Sequence, residues 1–195
     1  MERKISGVIL SGGANKRFDG TIKSNIVIDG KTIISRIISK IKDIFDEIII
    51  VTNSPEEFVE YKNYKIVNDK FLKAGLLGGI HAALKASSGD ALFVFAGDMP
   101  FLDKKIIVSQ IESYNSCQCD VLIPRVKNNI EPLHAIYNIS IYKSLEKYLE
   151  GDNNKAVREY LKTVNVRFLD VDETALTKDA FTNINSPSDL SSLSS

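Results

Sequence analysis

The chain has 195 residues, 25 Lys+Arg against 25 Asp+Glu, and 44% apolar residues. A chain this long buries roughly 70% of the surface it exposes unfolded, so it needs no disulfide or metal staple, and it reads as one domain over 1–195. Zero net charge excludes a general nucleic-acid binder, which needs a basic excess, and the apolar share excludes intrinsic disorder.

The first element is Ile5–Leu10, apolar at most positions, as suits a strand buried on both faces; it ends at Ser11-Gly12-Gly13. Its Val8-Ile9-Leu10 core is too short for a signal-peptide core, and no run approaches the roughly 18 apolar residues of a membrane span. The expectation is a cytoplasmic protein, and the lone Cys117-Gln118-Cys119 pair fits a reducing compartment. Apolar residues at 33, 34, 37, 38, 41, 44 and 45 predict a helix over 32–45 with one buried stripe. Ile48–Val51 predicts a second strand, ending at Thr52-Asn53, and Pro55-Glu56-Glu57 a helical first turn with Ser54 as cap. Residues 64–67 predict a third strand ending at Asn68-Asp69, Leu76–Ala86 a helix, and Ala91–Ala96 a fourth strand ending at Gly97-Asp98. Helices over 103–111, 139–149 and 156–161 and strands over 120–123, 133–137 and 164–171 complete the order, with a turn at residues 151–154.

Strands interleaved with helices of this length imply an α/β fold, a Rossmann-like three-layer sandwich with a mainly parallel sheet. Ligands of such sheets bind outside the carboxyl ends of the strands. Ser11-Gly12-Gly13, Asn53, Asp69 and Asp98 each follow a predicted strand, so one rim gathers four polar features.

The loop after the first strand carries the most chemistry. Two glycines there let backbone approach a ligand, exposed N–H groups can cradle an anion, and Arg17 and Lys23 add two cations suited to a triphosphate. It is neither a P-loop nor a dinucleotide fingerprint, since neither spacing is present. The plain alternative is a solvated turn. Asp98, held by the following Met99-Pro100, offers the hard oxygen that Mg²⁺ prefers, while Asp103 fits the cap of the next helix better. Asn53 can donate and accept toward a base or ribose, and Asp69 follows the third strand; ordinary Asx turns would also account for both. Glycines in Gly75-Leu76-Leu77-Gly78-Gly79 enter a helix whose free N–H groups can face an anion; close packing of helix on sheet is the alternative. His81 and His134 read as structural histidines, and the cysteine pair as a loop-to-strand transition.

These motifs together resemble the molybdenum-cofactor guanylyltransferase family, whose fold is the nucleotide-diphospho-sugar transferase type. The family's first loop follows L-A-G-G-x-S-x-R-[MF]-G-x-x-K; here Leu10, Gly12, Gly13, Arg17, Phe18, Gly20 and Lys23 match. Ser11 stands for the usual Ala, Asn15 for the Ser, and Ile22 where an Asp often precedes the Lys. Asp98-Met99-Pro100-Phe101 resembles the family's D-x-P-[FY], and residues 75–80 its G-P-L-x-G-[IM], with Leu76 in place of Pro. Residues 132–137 resemble P-L-x-A-x-[YF], and residues 181–190 its F-x-N-[IV]-N-[TS]-P-x-[DE]-L close. The resemblance runs from about residue 5 to 190 with the motifs in order.

What the resemblance implies is a nucleotidyltransferase that moves GMP from GTP to molybdenum-molybdopterin and releases pyrophosphate. It implies catalytic roles for Arg17, Lys23 and Asp98, with Mg²⁺ on Asp98. It implies nucleotide binding by Leu10, Ser11, Gly12, Gly13, Lys23, Asn53, Asp69, Gly79 and Asp98, and second-substrate orientation by Asn183 and Asn185. Asn183 and Asn185 also read as turn residues before a terminal helix capped by Ser186. Implied partners are GTP, molybdenum-molybdopterin, molybdopterin-synthesis proteins and recipient molybdoenzymes, with no nucleic acid and no membrane. Two other readings stay open: a relative acting on CTP or another phosphorylated acceptor, and a nucleotide-binding domain without turnover. Gly13 favours guanine over the L-A-A-G loop of the cytidylyl branch, through resemblance alone.

Overall fold

The computed structural model describes residues 3–12, 22–184 and 189. The chain runs β1 (Ile5–Leu10), β2 (Val27–Ile28), β3 (Lys31–Thr32), α1 (Ile33–Ile41), β4 (Ile48–Val51), β5 (Lys65–Val67), α2 (Leu76–Ala86) and β6 (Ala91–Ala96). It continues α3 (Lys104–Asn115), β7 (Val121–Val126), β8 (Asn129–Ile130), β9 (His134–Asn138), α4 (Tyr142–Glu150), α5 (Val157–Leu161), β10 (Val166–Asp170) and α6 (Ala175–Ala180).

The main sheet has the order β10-β7-β9-β6-β1-β4-β5, with β8 paired to β7. Strands β6, β1, β4 and β5 pair in parallel, in registers such as Ile9 opposite Ile50 and Phe95. Alternation along these strands fills two cores. Ile5, Ile9, Phe93 and Phe95 pack with α1 and α3, while Val8, Ile49, Leu92 and Val94 pack with α2, α4 and α5. Both faces of the sheet are therefore covered, which is why β4 and β6 read as continuous apolar runs and β1 is apolar at most positions. Strand β9 lies antiparallel between β6 and β7, so the sheet is mainly parallel.

Several boundaries differ from the sequence pattern for local reasons. The predicted 32–45 helix is shorter: Thr32 caps it by accepting from the Ser35 N–H at 3.2 Å, and the last helical residue is Ile41. Phe45 still reads as part of the stripe because, beyond the turn, its ring covers Gly7 of β1. Ser54 does not cap a helix. Residues Pro55–Tyr61 form a 3₁₀ segment interrupted at Phe58, and the Ser54 N–H donates instead to Thr52 Oγ1 at 3.1 Å. Asp103 does cap α3, accepting from the N–H groups of Lys105 and Ile106. The β2–β3 hairpin, β8 and α6 carry too few residues for a periodic signal.

The end of the sheet opposite the strand carboxyl ends is pinned by Glu47. Its carboxylate accepts from Ser6 Oγ at 2.6 Å, the Ser88 N–H at 2.9 Å and Lys65 Nζ at 3.0 Å. Burial pushes this carboxyl up, but those donors outweigh it and hold the pKa down to about 2. The folded value lies below the unfolded one, so this stabilisation is complete above about pH 4.5 and fades as pH falls toward 2. Glu47→Gln is expected to cost about 2 kcal/mol at pH 7 and to flatten that part of the acid dependence, read by urea unfolding from pH 7 to pH 3. Equal acid sensitivity in the two proteins would remove Glu47 from this role.

Candidate active site

The rim at the carboxyl ends of β1, β4, β5 and β6 surrounds a cavity of about 340 Å³. Its floor is strand-end backbone. The Ser11 N–H donates to the Val51 carbonyl at 2.8 Å, and the Gly97 N–H to the Leu10 carbonyl at 2.9 Å. These two bonds splay three strand ends around one space, and Leu10, Ser11 and Gly12 line it.

Lys23 and Asp98 meet across this cavity. Lys23 Nζ donates to Asp98 Oδ2 at 2.9 Å, with the two side chains 24% and 19% exposed, so the pair is neither solvated nor sealed. Asp98 sits on rigid support, following the fully buried β6, while its carbonyl accepts from the N–H of buried Ile184 at 2.9 Å. Residues 98 and 23, distant in sequence, therefore share one rim.

On the other side, Asn53 and Asp69 are joined. Asn53 Oδ1 accepts from the Asp69 N–H at 3.0 Å, which fixes the orientation of the amide and leaves both NH₂ donors and the second oxygen lone pair to offer a ligand. Asp69 Oδ1 accepts from the Phe71 N–H at 2.6 Å, an Asx turn. Both residues line the cavity as well, so the turn roles and the rim position coexist. Burial raises the Asp69 pKa, against which the Phe71 N–H and His81 pull downward.

The glycines before and within α2 have separate reasons. Gly75 has φ +55°, a left-handed conformation that disfavours side chains. Gly78 lets the Asp69 carboxylate lie against the first turn of α2, where the helix dipole favours an anion. An added Cβ there would collide with that carboxylate, 2.6 Å from Oδ1. Gly79 faces the Leu10 side chain, with a Cβ contact of 3.2 Å. Gly78→Ala is expected to weaken nucleotide binding about tenfold by displacing Asp69. The alanine gains about 1 kcal/mol of helix propensity, so the melting temperature barely falls. Calorimetric titration beside a melting curve separates the two effects; unchanged affinity would show that Asp69 can move without consequence.

Of the remaining expected site residues, Gly13, Arg17 and Asn185 lie outside the described residues, as does the Ser186 cap. Asn183 does not line the cavity; it is half-buried, its Oδ1 lacks a hydrogen-bond partner, and its neighbour Ile184 is the one tied to Asp98. Ile22, Ser24, Thr52 and Leu72 line the cavity and had no assigned role. Leu72 had a legible signal, an apolar Phe71-Leu72 pair set between Lys70 and Lys73, and the structure leaves the leucine 70% exposed. Ser24 had none, since a buried hydroxyl looks like any serine in sequence.

Both histidines are buried, and neither has all its ring nitrogens paired: His81 lacks a partner at Nδ1 and His134 at both nitrogens. His134 is enclosed by Phe93, Phe95 and Phe181, and neither ring nitrogen has a hydrogen-bond partner. Burial alone drives its pKa down to about 3, so it stays neutral. Cys117 and Cys119 are free thiols just before β7, and burial pushes Cys119 up to about 12, which makes it unreactive.

A divalent cation fits the donors present only with help from its substrate. Among the described residues no group of three or more His, Cys, Asp or Glu could cage a metal. A partly exposed carboxylate on the cavity rim suits Mg²⁺, which takes one or two carboxylates and completes its shell with phosphates and water. Among the described residues no helix is long and apolar enough to cross a membrane.

A parallel sheet that gathers a lysine, a carboxylate and a coupled Asn–Asp pair around one strand-end cavity defines a nucleotide-handling α/β protein. The comparisons give it a family. Residues 7–166 match the model described as "MobA-like NTP transferase domain", and the chain belongs to that nucleotidyltransferase family. It is 39% identical to "Probable molybdenum cofactor guanylyltransferase" of Natranaerobius thermophilus, over 97% of this chain and 95% of that one. It is 34% identical to "Molybdenum cofactor guanylyltransferase" of Desulfosudis oleivorans, over 74% and 71%. The crystal structure of molybdopterin-guanine dinucleotide biosynthesis protein A from Archaeoglobus fulgidus superposes with a TM-score of 0.79 at 25% identity, covering 96% and 95%.

Proposed function

We propose that this chain transfers GMP from GTP to molybdenum-bound molybdopterin, forming the guanine dinucleotide of the cofactor and releasing pyrophosphate. The observation that carries the reading is the Lys23–Asp98 pair, which brings a cation and a carboxylate to one triphosphate-sized cavity. The names of the relatives favour GTP and molybdopterin as the substrates.

A terminal phosphate oxygen of molybdopterin attacks the α-phosphorus of GTP. The bond from that phosphorus to the bridging oxygen breaks, and pyrophosphate leaves in line. No covalent enzyme intermediate is needed, so the protein supplies alignment and charge neutralisation. Lys23, with Arg17 from the same loop, offsets charge on the triphosphate. The backbone of Leu10, Ser11, Gly12 and Gly13 approaches the phosphates, and Asn53 donates to the nucleotide through its NH₂. Asp69 holds the adjacent loop, and Gly79 leaves room for Leu10. Asn183 and Asn185 orient the acceptor. Asp98 would hold Mg²⁺, which when bound neutralises phosphate charge. The reaction belongs to the cytoplasm, where molybdopterin-synthesis proteins supply the acceptor and molybdoenzymes take the product.

The test is incubation of the chain with Mg²⁺, molybdenum-molybdopterin and each nucleoside triphosphate in turn, assayed for dinucleotide and pyrophosphate. Product with GTP is expected. Preference for CTP would assign a cytidylyl transfer, and no pyrophosphate with any nucleotide would leave a binding domain without turnover.

A further inference from the structure

We infer that His81, which has no part in the chemistry above, is a positioning residue for the nucleotide, acting through the Phe71 ring on Asp69. The inference deepens the proposed guanylyl transfer and rests on it only in taking GTP as the ligand of the cavity.

The loop between β5 and α2 has two sides. Asp69, Leu72 and Gly75 face the cavity. Phe71 does not; its ring meets the His81 ring edge-on, with centroids 4.9 Å apart at 84°. The same residue's N–H donates to Asp69 Oδ1 at 2.6 Å, and the Asp69 N–H donates to Asn53 Oδ1 at 3.0 Å. A displacement of Phe71 therefore moves Asp69, and through it Asn53.

His81 is fixed from behind. It is 1% exposed, and its ring stacks on Tyr142 of α4 at 5.1 Å and 25°. Its Nε2 lies 3.3 Å from Glu146 Oε1, which also accepts from the Tyr142 hydroxyl at 3.1 Å. A carboxylate only accepts, so Nε2 carries a proton. Nδ1 is buried and has no hydrogen-bond partner. An unsatisfied buried nitrogen costs stability, and the bond to Glu146 and the stack on Tyr142 hold the ring in place against that cost. What the residue supplies is a flat, immobile ring that transmits the position of α4 to the back of the nucleotide loop.

The experiment titrates GTP with Mg²⁺ into the full chain by calorimetry with no acceptor present, beside a melting curve for each variant. His81→Leu is expected to bind GTP about tenfold more weakly, because the flat contact with Phe71 is lost. His81→Phe keeps that contact and the stack on Tyr142 while losing Glu146, and is expected to stay within about twofold of wild type. Phe71→Leu, a change at a partly exposed ring, carries the test should His81→Leu not fold. The double variant is expected to be no weaker than the weaker single, since both remove one contact. A lower melting temperature with unchanged affinity in His81→Leu would mean a purely structural residue and overturn the inference. So would His81→Phe as weak as His81→Leu, or additive losses in the double variant. A wild-type chain that binds no GTP overturns the functional reading and this inference together; wild type binding GTP with His81→Leu equal to it overturns this inference alone.

Discussion

Asp98→Ala is expected to lower the rate of GMP transfer about 10²–10³-fold, the loss typical of removing one positioned charge stabiliser. The effect belongs in kcat more than in the KM for GTP. Asp98 reaches the phosphates only through a cation it would hold, whereas the rest of the nucleotide is contacted by other elements. The fold is expected to survive. The structural duty of residue 98 is its carbonyl, which accepts from Ile184, and alanine keeps that bond. Surface changes of this kind shift the melting temperature by less than about 4 °C in a chain of this size. Asp98→Asn isolates charge from shape, because an amide oxygen still accepts from Lys23 while the negative charge is gone. If both variants turn over near the wild-type rate with Mg²⁺ at saturating GTP, the carboxylate has no part in the chemistry.

The sequence exposed the frame of this site better than its internal wiring. Strands β1, β4 and β6 were legible because each is a short run, apolar throughout in β4 and β6 and at most positions in β1, followed within two residues by glycine, asparagine or aspartate. The position of those end residues followed from the rule that parallel sheets bind at their carboxyl ends. Three things were not legible. The Asn53–Asp69 bond joins residues 16 apart in sequence, and nothing local encodes the direction of either side chain. The collision that keeps Gly78 a glycine involves a carboxylate from the preceding loop, a reason that neither the anion-facing reading of these glycines nor the helix-on-sheet alternative contained. His81 stood on a helix facing α4, and the two rings packed against it come from two other segments. The 32–45 helix was overextended for the same reason: Phe45 keeps helical spacing but reaches the core from beyond a turn. Periodicity reports which residues are buried, not which partner buries them.

Lys23→Ala is expected to give a loss of similar size, about 10²–10³ in kcat/KM, but distributed differently. The lysine meets the phosphates directly, so KM for GTP rises together with a fall in kcat. Arginine at this position is not a neutral replacement, since its planar fork needs more room than a compact ammonium beside Asp98. A second consequence has the opposite sign. The Lys23 ammonium sits 2.9 Å from Asp98 Oδ2, where it competes with any other cation for that oxygen. Two like charges at one carboxylate disfavour each other, so the ammonium would weaken the hold of Asp98 on a divalent ion. Lys23→Ala should therefore bind Mn²⁺ in the absence of nucleotide more tightly than wild type, by about tenfold or more given the charge removed. Electron paramagnetic resonance of free Mn²⁺ against protein reads this without any turnover. Weakened catalysis together with strengthened ion binding in one variant is a combination that a misfolded or merely loosened site does not produce. Equal Mn²⁺ affinity in the two proteins would mean that the ammonium and the metal do not contend for Asp98.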